Sequence, residues 1–186
     1  IRLSLVGSEM CIRDRDYTAT QPLVLGDLPV GGTVRKVVMH APKNGFFYIL
    51  DRKTGELLSA EKFAVANWAT HVDPKTGRPA EDKAVADYGD GKPKLVFPSP
   101  IGAHNWNPMS FSKRTGLVYI PTIHAGALFF NPPGPARYLP GRMNTNVQIG
   151  FSAQLLGPAA ALPPSLRPLA DPAFLSKQPE VAMSAS

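Results

Sequence analysis

The chain has 186 residues, of which 44% are hydrophobic and 18% charged, so it can bury a core of ordinary domain size. Its 20 Lys and Arg residues outnumber 14 Asp and Glu residues but are spread along the chain, which argues against a basic nucleic-acid-binding tail and a polybasic membrane anchor. No stretch approaches the roughly 18 apolar residues of a bilayer-spanning helix, and 20 prolines exclude an all-helical protein.

The first segment, residues 1–15, reads IRLSLVGSEMCIRDR. It is not a signal peptide, because Glu9, Arg13 and Asp14 interrupt the place where a continuous apolar region and a small-residue cleavage site should lie. The stretch SLVGSEMCIRDR resembles a translated sequencing adaptor. We therefore expect residues 1–15 to be non-native and the native sequence to begin at Asp16.

Strands and tight turns follow in alternation. Residues 34–40 (VRKVVMH) are rich in strand formers, and Pro42–Gly45 ends in the Asn-Gly pair that is typical of hairpins. Residues 46–50 (FFYIL) are too short and too aromatic for a helix, and Asp51–Gly55 turns the chain again. This order predicts an antiparallel all-β fold.

A Thr-Gly turn occurs three times, as DRKTG, DPKTG and SKRTG, ending at Gly55, Gly77 and Gly116. The Asp or Ser at its start can cap the turn, and the glycine accepts the positive φ that a tight hairpin requires. Repeated hairpins of this kind favour a β-propeller. Three unrelated β-turns in an all-β protein are the alternative on spacing alone.

Prolines concentrate after Asn131, where ten of the 20 lie between residues 131 and 179. We expect residues 131–186 to form a Pro-rich insertion and an irregular tail. The single Cys11 excludes an internal disulfide and a cysteine metal site, and no nucleotide-binding or serine-hydrolase motif occurs.

Four stretches together resemble one family: residues 16–32 (DYTATQPLVLGDLPVGG), 41–63 (APKNGFFYILDRKTGELLSAEKF), 67–79 (NWATHVDPKTGRP) and 101–121 (IGAHNWNPMSFSKRTGLVYIP). They are similar to the pyrroloquinoline-quinone (PQQ) dependent alcohol dehydrogenases of the methanol/ethanol dehydrogenase family, and most of all to its ethanol-type members. The resemblance implies an eight-bladed β-propeller of four-stranded blades. The chain suffices for two or three blades over residues 16–130, so we expect an internal fragment that is inactive alone.

Three positions match functional residues of that family. The resemblance implies that Asp16 is the catalytic base and, marginally, a calcium ligand. Lys43 matches the basic residue that hydrogen-bonds the quinone oxygens of PQQ, and Asn105 matches an asparagine that hydrogen-bonds the cofactor. The sequence departs from the family at Arg15, where a tryptophan is expected, so the assignment of Asp16 depends on the residues that follow it.

The resemblance also implies cofactors and partners. PQQ would accept hydride while Ca²⁺ polarises its carbonyl, and Thr18 stands where lanthanide-dependent relatives carry a second Asp, which points to calcium. The substrate would be a small primary alcohol, and the acceptor a c-type cytochrome or another electron acceptor. A haem-c domain, where one exists, would lie downstream. The expected location is the periplasm, with no membrane span in this chain and no nucleic-acid partner.

Two other functions stay open at this stage: a non-catalytic propeller that serves as a binding or assembly scaffold, and a membrane-bound quinoprotein sugar or polyol dehydrogenase. Of the remaining residues, Phe46, Phe47 and Tyr48 are expected in the core. Trp68 and Trp106 are expected to pack within blades, with the substrate entrance as the alternative for Trp106. His104 is expected to be a structural histidine, with a role beside the site as the alternative.

Overall fold

The computed structural model describes residues 15–87, 90–131, 140–141 and 148–151. Nearly all regular structure in these ranges is antiparallel β-strand, with one four-residue helix, α1 (Lys83–Ala86). The strands are β1 (Val24–Val30), β2 (Thr33–His40), β3 (Phe46–Asp51), β4 (Leu57–Lys62), β5 (Ala69–Val72), β6 (Pro79–Glu81), β7 (Lys94–Val96), β8 (Ser110–Ser112), β9 (Leu117–Tyr119), β10 (Ala127–Phe130) and β11 (Gln148–Phe151). The all-β prediction is confirmed.

The largest sheet has four strands in the order β1-β2-β3-β4, so each strand pairs with the next one along the chain. β1 and β2 are joined by Gly31 and Gly32, with Val30 opposite Thr33. Both glycines have positive φ, of 57° and 79°, as a two-residue hairpin turn requires. A sequential four-stranded antiparallel sheet is the arrangement of one propeller blade.

Three smaller sheets complete the described fold: β11-β10-β7, β5-β6 and β8-β9. Two of them, β5-β6 and β8-β9, are two-stranded antiparallel hairpins. β11 comes from the Pro-rich stretch 131–186 and pairs with β10 through the register Phe130↔Gln148. Apart from residue 131, residues 140–141 and this strand, the stretch lies outside the described residues, as do residues 1–14 of the first segment.

The three Thr-Gly turns each connect two strands, β3 to β4, β5 to β6 and β8 to β9. Their glycines, Gly55, Gly77 and Gly116, have φ values of 78°, 70° and 69°. In the first turn, Asp51 Oδ1 accepts hydrogen bonds from the amides of Lys53 and Thr54 at 2.7 and 3.0 Å. The local prediction of capped hairpins is therefore confirmed.

Both faces of the four-stranded sheet are covered by apolar packing, which explains why residues 46–50 form an unbroken apolar run. Val37 and Met39 point to one face with the part-buried Phe47, while Val38 points to the other. The second face holds the larger cluster: Tyr17, Val38, Phe46, Tyr48, Leu50, Ala66, Trp68, Ala69, Val72, Val96, Ala127 and Phe129. A sheet packed on two sides is what a blade between neighbouring blades needs.

Of the two tryptophans expected to pack within blades, one is buried and the other is exposed. Trp68 is buried, at 1% exposure, as expected for blade packing. Trp106 is 74% exposed, so the prediction that it packs within a blade is wrong for the described chain. No helix among the described residues is long and apolar enough to span a bilayer.

Candidate active site

The β2–β3 turn, residues 41–45, is fixed by the side chain and carbonyl of Asn44. Asn44 Oδ1 accepts from the amide of Phe46 at 2.9 Å, and its Nδ2 donates to the Tyr48 hydroxyl at 2.8 Å. Its backbone carbonyl accepts from Trp68 Nε1 at 3.0 Å. Asn44 is fully buried, and these three hydrogen bonds tie it to β3 and to Trp68. The backbone of the turn is therefore held rigidly, and with it the preceding residue, Lys43.

Asp16 is presented by two buried neighbours in the chain. Arg15 and Tyr17 are each 1% exposed, whereas Asp16 itself is exposed. The Arg15 guanidinium lies 4.9 Å from the Trp68 ring centroid, and the Tyr17 ring packs on Trp68 at 5.5 Å. The Tyr17 hydroxyl donates to the carbonyl of Pro98. Asp16 has a φ of 55°, a left-handed conformation held by these flanking contacts.

Arg15 also reaches β6 and α1, which come much later in the chain. Its guanidinium forms an ion pair with Glu81 at 2.8 Å and donates to the carbonyl of Ala86 at 3.3 Å. The prediction that Arg15 belongs to a non-native segment did not anticipate these contacts. The burial of Arg15 could not be predicted from the neighbouring sequence, because the residues that it contacts lie 66 and 71 positions away.

Lys43 and Asp16 form the centre of the site. Lys43 Nζ lies 2.8 Å from Asp16 Oδ2, which makes the contact both an ion pair and a hydrogen bond. The Lys43 side chain is only 11% exposed, while that of Asp16 is 60% exposed. A mostly buried ammonium thus holds one oxygen of an accessible carboxylate, and the structure brings together two of the three predicted site residues.

The loop of residues 99–107 covers the stem of Lys43. The amide of Ala103 donates to the carbonyl of Lys43 at 2.9 Å. Gly102 has a φ of 91°, and a Cβ at this position would lie 2.7 Å from Lys43 Cβ and 2.9 Å from the carbonyl oxygen of His104. Only glycine therefore permits this close approach.

Asn105, the third predicted site residue, lies in the same loop but turns its amide elsewhere. Its Nδ2 donates to the carbonyl of Ile101 at 2.8 Å, and its side chain is partly exposed. No hydrogen bond within the described ranges joins Asn105 to Asp16 or Lys43. The contact between this loop and Lys43 is made by the amide of Ala103, two residues before Asn105.

Two histidines lie next to these elements. His104 is fully buried and contacts the carbonyl of Ala41, at the start of the β2–β3 turn. His40 ends β2 and is 7% exposed. Desolvation by burial lowers the pKa of His40 to about 4, opposed by a hydrogen bond with the backbone of Gln21, so its imidazole is neutral at pH 7.

Calcium requires more ligands than these residues supply. Ca²⁺ takes about six to eight oxygen ligands, and the described residues contain no group of three or more His, Cys, Asp or Glu side chains that could hold a metal. Asp16 offers one carboxylate, of which Oδ2 is already engaged by Lys43. The described residues by themselves do not fit a calcium site, although a quinone edge beside Lys43 fits the remaining N–H donors of its ammonium group.

The chain was compared with known protein families, curated proteins and solved structures. No family model matches the chain. It is 52% identical over 124 residues to the quinohemoprotein alcohol dehydrogenase ADH-IIG of Pseudomonas putida, a match that covers 66% of this chain and 17% of that enzyme. The chain spans about one fifth of the length of such relatives.

Solved structures show the same likeness. The structure of ADHIIG from Pseudomonas putida HK5 superimposes with a TM-score of 0.67 at 47% identity, over 72% of this chain and 20% of that chain. A europium-containing methanol dehydrogenase superimposes with a TM-score of 0.63 at 30% identity, over 72% of this chain and 23% of that chain.

Proposed function

Because the chain belongs to the family of quinoprotein alcohol dehydrogenases, which are β-propellers, we propose that it carries part of the active site of an enzyme that oxidises small primary alcohols to aldehydes with PQQ and calcium. The observation that carries the proposal is the 2.8 Å ion pair between the mostly buried Lys43 and the exposed Asp16. In the proposed organisation, residues 16–130 form propeller blades, residues 131–186 a Pro-rich insertion, and residues 1–15 a non-native segment.

Asp16 is the proposed general base. Alcohol oxidation requires removal of the hydroxyl proton, and a carboxylate accepts it when one oxygen is free and accessible. Lys43 holds Oδ2, which fixes the carboxylate plane and leaves Oδ1 to receive the proton. The left-handed φ of 55° and the buried neighbour Tyr17 restrict how far the carboxylate can move.

Lys43 is the proposed cation beside the quinone. When bound, PQQ supplies the two-electron acceptor for the hydrogen removed from the alcohol carbon. The ammonium group has three N–H donors, and one of them serves Asp16, so the others can bind an oxygen on which negative charge develops. Its 11% exposure keeps water from competing for these donors.

Asn105 and the calcium ion complete the proposal. Asn105 would exchange its bond with the Ile101 carbonyl for one with the cofactor, which requires only rotation of a partly exposed side chain. Asp16 would give calcium at most one carboxylate, and the other ligands would come from outside the described residues. Thr18 in place of a second carboxylate supports calcium over a trivalent ion.

The remaining parts of the proposal concern the whole protein. A c-type cytochrome or another acceptor would receive the electrons, as the name of a 1-butanol dehydrogenase (cytochrome c) relative suggests, and quinohemoprotein relatives support a downstream haem-c domain. A periplasmic location is the proposed setting. The similarity to alcohol dehydrogenases at 52% identity disfavours the alternative of a non-catalytic scaffold.

The proposal is tested in a chimera in which residues 16–131 replace the matching segment of a complete relative. After reconstitution with PQQ and Ca²⁺, ethanol-dependent dye reduction should occur, and Lys43→Met should lower kcat by roughly 10²–10³-fold, the usual effect of removing one charge-stabilising donor. Lys36→Met is the matched control, because Lys36 is 46% exposed and lies 3.8 Å from Asp27. Equal turnover of the two variants would contradict the proposal.

A further inference from the structure

The first Thr-Gly turn, residues 51–55, lies at the end of the four-stranded sheet that is opposite the candidate site. β3 begins at the turn that carries Lys43 and runs away from it to the Thr-Gly turn. Its six residues span roughly 20 Å at about 3.3 Å per residue. The β1–β2 turn, Gly31–Gly32, lies at this same far end, because Val37 near the start of β2 pairs with Asp51 at the end of β3.

The second Thr-Gly turn, residues 73–77, is directed to the same end. β5 starts beside the candidate site, where Trp68 Nε1 donates to the carbonyl of Asn44 at 3.0 Å. β6 returns to the site, where Glu81 pairs with Arg15 at 2.8 Å. The turn between these two strands therefore points away from the site.

The third Thr-Gly turn, residues 112–116, also lies there. β8 follows the loop that covers the lysine of the site, and after β9 the amide of Ile123 donates to the carbonyl of Ala103 in that loop at 2.8 Å. Between these points, Phe111 of β8 lies 3.4 Å from the Cβ position of Gly26, which is level with the end of β3. These three turns and the β1–β2 turn make up one surface, which we call the distal face: residues 31–32, 51–55, 73–77 and 112–116.

Each Thr-Gly turn presents exposed cations on the distal face. They are Lys53, Lys75, Lys113 and Arg114. None of these four side chains forms an ion pair with another residue in the part of the chain that the structure describes. The sequence contains no contiguous run of basic residues, so these cations come together only through the fold.

The acidic residues of the same turns are engaged by other groups. The Arg35 guanidinium binds Asp51 at 2.6 Å and also binds Glu56. Asp73 accepts hydrogen bonds from the amide of Lys75 at 2.9 Å and from the threonine hydroxyl of its own turn at 2.8 Å. The distal face therefore keeps an excess of positive charge that is distributed over all three turns.

Apolar side chains are exposed among these cations. Val34, two residues after the β1–β2 turn, is 69% exposed, and Leu117, directly after the third Thr-Gly turn, is 56% exposed. Cations beside exposed aliphatic side chains are typical of surfaces that bind a lipid interface, where the cations attract anionic headgroups and the apolar groups leave water. An acidic protein would satisfy the cations but would not require the two aliphatic side chains.

We propose that the distal face binds peripherally to a bilayer surface that carries anionic headgroups. The lysines and the arginine of the Thr-Gly turns contact the headgroups, and Val34 and Leu117 enter the boundary between headgroups and acyl chains. The candidate site lies at the other end of β3, so it faces water while the distal face is bound. This inference goes beyond the proposed function and does not depend on it.

Vesicle flotation of the 186-residue chain is the first test, because aggregated protein sinks whereas vesicle-bound protein floats. The chain should float with phosphatidylcholine vesicles that contain about 30 mol% phosphatidylglycerol and should not float with pure phosphatidylcholine vesicles. Raising the salt from about 0.1 M to about 1 M should release it, since the Debye length falls from about 10 Å to about 3 Å. Equal flotation with both vesicles, or flotation with neither, would overturn the proposal.

A pair of double variants tests whether the distal face is the contact. Lys53→Gln with Lys113→Gln should lower the partition coefficient for anionic vesicles roughly 25-fold, since each cation near such a surface contributes about fivefold. The control removes two exposed lysines near the candidate site: Lys62 ends β4 opposite the start of β3, and Lys83 begins α1, which contacts Arg15. Lys62→Gln with Lys83→Gln should leave the partition coefficient nearly unchanged. Equal losses in the two double variants would show a response to net charge alone and would overturn the proposal.

Leu117→Ser distinguishes a bilayer from an acidic protein. It should lower the affinity for anionic vesicles roughly tenfold, because the leucine no longer leaves water on binding, while retention on immobilised polyglutamate stays the same. Leu23→Ser is the matched control, since Leu23 is 51% exposed and precedes β1 at the site end of the sheet. Equal vesicle affinities of these two variants would indicate an acidic protein as the partner and overturn the bilayer. None of these measurements uses cofactor or turnover, so failure of the chimera to oxidise ethanol would refute the proposed function alone.

Discussion

Replacing Gly102 by alanine tests the tight contact between the loop and Lys43. The backbone at Gly102 has a φ of 91°, and a left-handed conformation costs an L-residue roughly 1–2 kcal/mol. The new Cβ would also lie 2.7 Å from Lys43 Cβ and 2.9 Å from the His104 carbonyl oxygen, well inside contact distance. Overpacking of this kind costs typically ~1–3 kcal/mol, so we expect Gly102→Ala to destabilise the chain by roughly 2–5 kcal/mol.

Urea unfolding followed by tryptophan fluorescence measures this cost, since Trp68 is buried and reports on loss of the core. Gly116→Ala is the matched control, because Gly116 has a φ of 69° but nothing within 4 Å of its Cβ position. It should lose only the roughly 1–2 kcal/mol of the backbone conformation. If Gly102→Ala costs no more than Gly116→Ala, the close approach of the loop to Lys43 is wrong.

Two further predictions concern stability. Trp68→Phe should destabilise the chain by roughly 2–4 kcal/mol, since it leaves a cavity and the Asn44 carbonyl without its donor, and an equal urea midpoint would contradict this role. The folded-state pKa of His40 is about 4 against 6.5 unfolded, so the unfolded chain binds more protons, and stability should fall by about 3 kcal/mol as the pH drops from 6.5 to 4. His40→Gln should flatten that pH dependence and His71→Gln should not; equal slopes in the two variants would contradict the buried neutral state of His40.

The sequence predicts the local part of the fold well. The Asn-Gly signal before Phe46 and the three Thr-Gly turns lie where hairpins occur, because their chemistry acts within four or five residues. β1 was not predicted from the residues, although Gly31–Gly32 between two apolar stretches is a hairpin signal that could have found it.

Contacts between distant residues could not be predicted from local patterns. The pairing of Asp16 with Lys43 depends on how the first segment lies on the four-stranded sheet, and only the family resemblance suggested that both belong to one site. The burial of Arg15 and the exposure of Trp106 depend on which neighbours cover them, which no local pattern states. His104 bonds to two backbone carbonyls, and such acceptors carry no side-chain signature.

The most direct test of the central claim is Asp16→Asn in the reconstituted chimera, with bound PQQ quantified by its absorbance. Asparagine preserves the size of the side chain but cannot accept the hydroxyl proton. We expect kcat for ethanol to fall by roughly 10²–10⁴-fold with PQQ still bound, as for loss of a general base, while Asp27→Asn, at an exposed carboxylate 3.8 Å from Lys36, retains full turnover. Full turnover by Asp16→Asn would contradict the account.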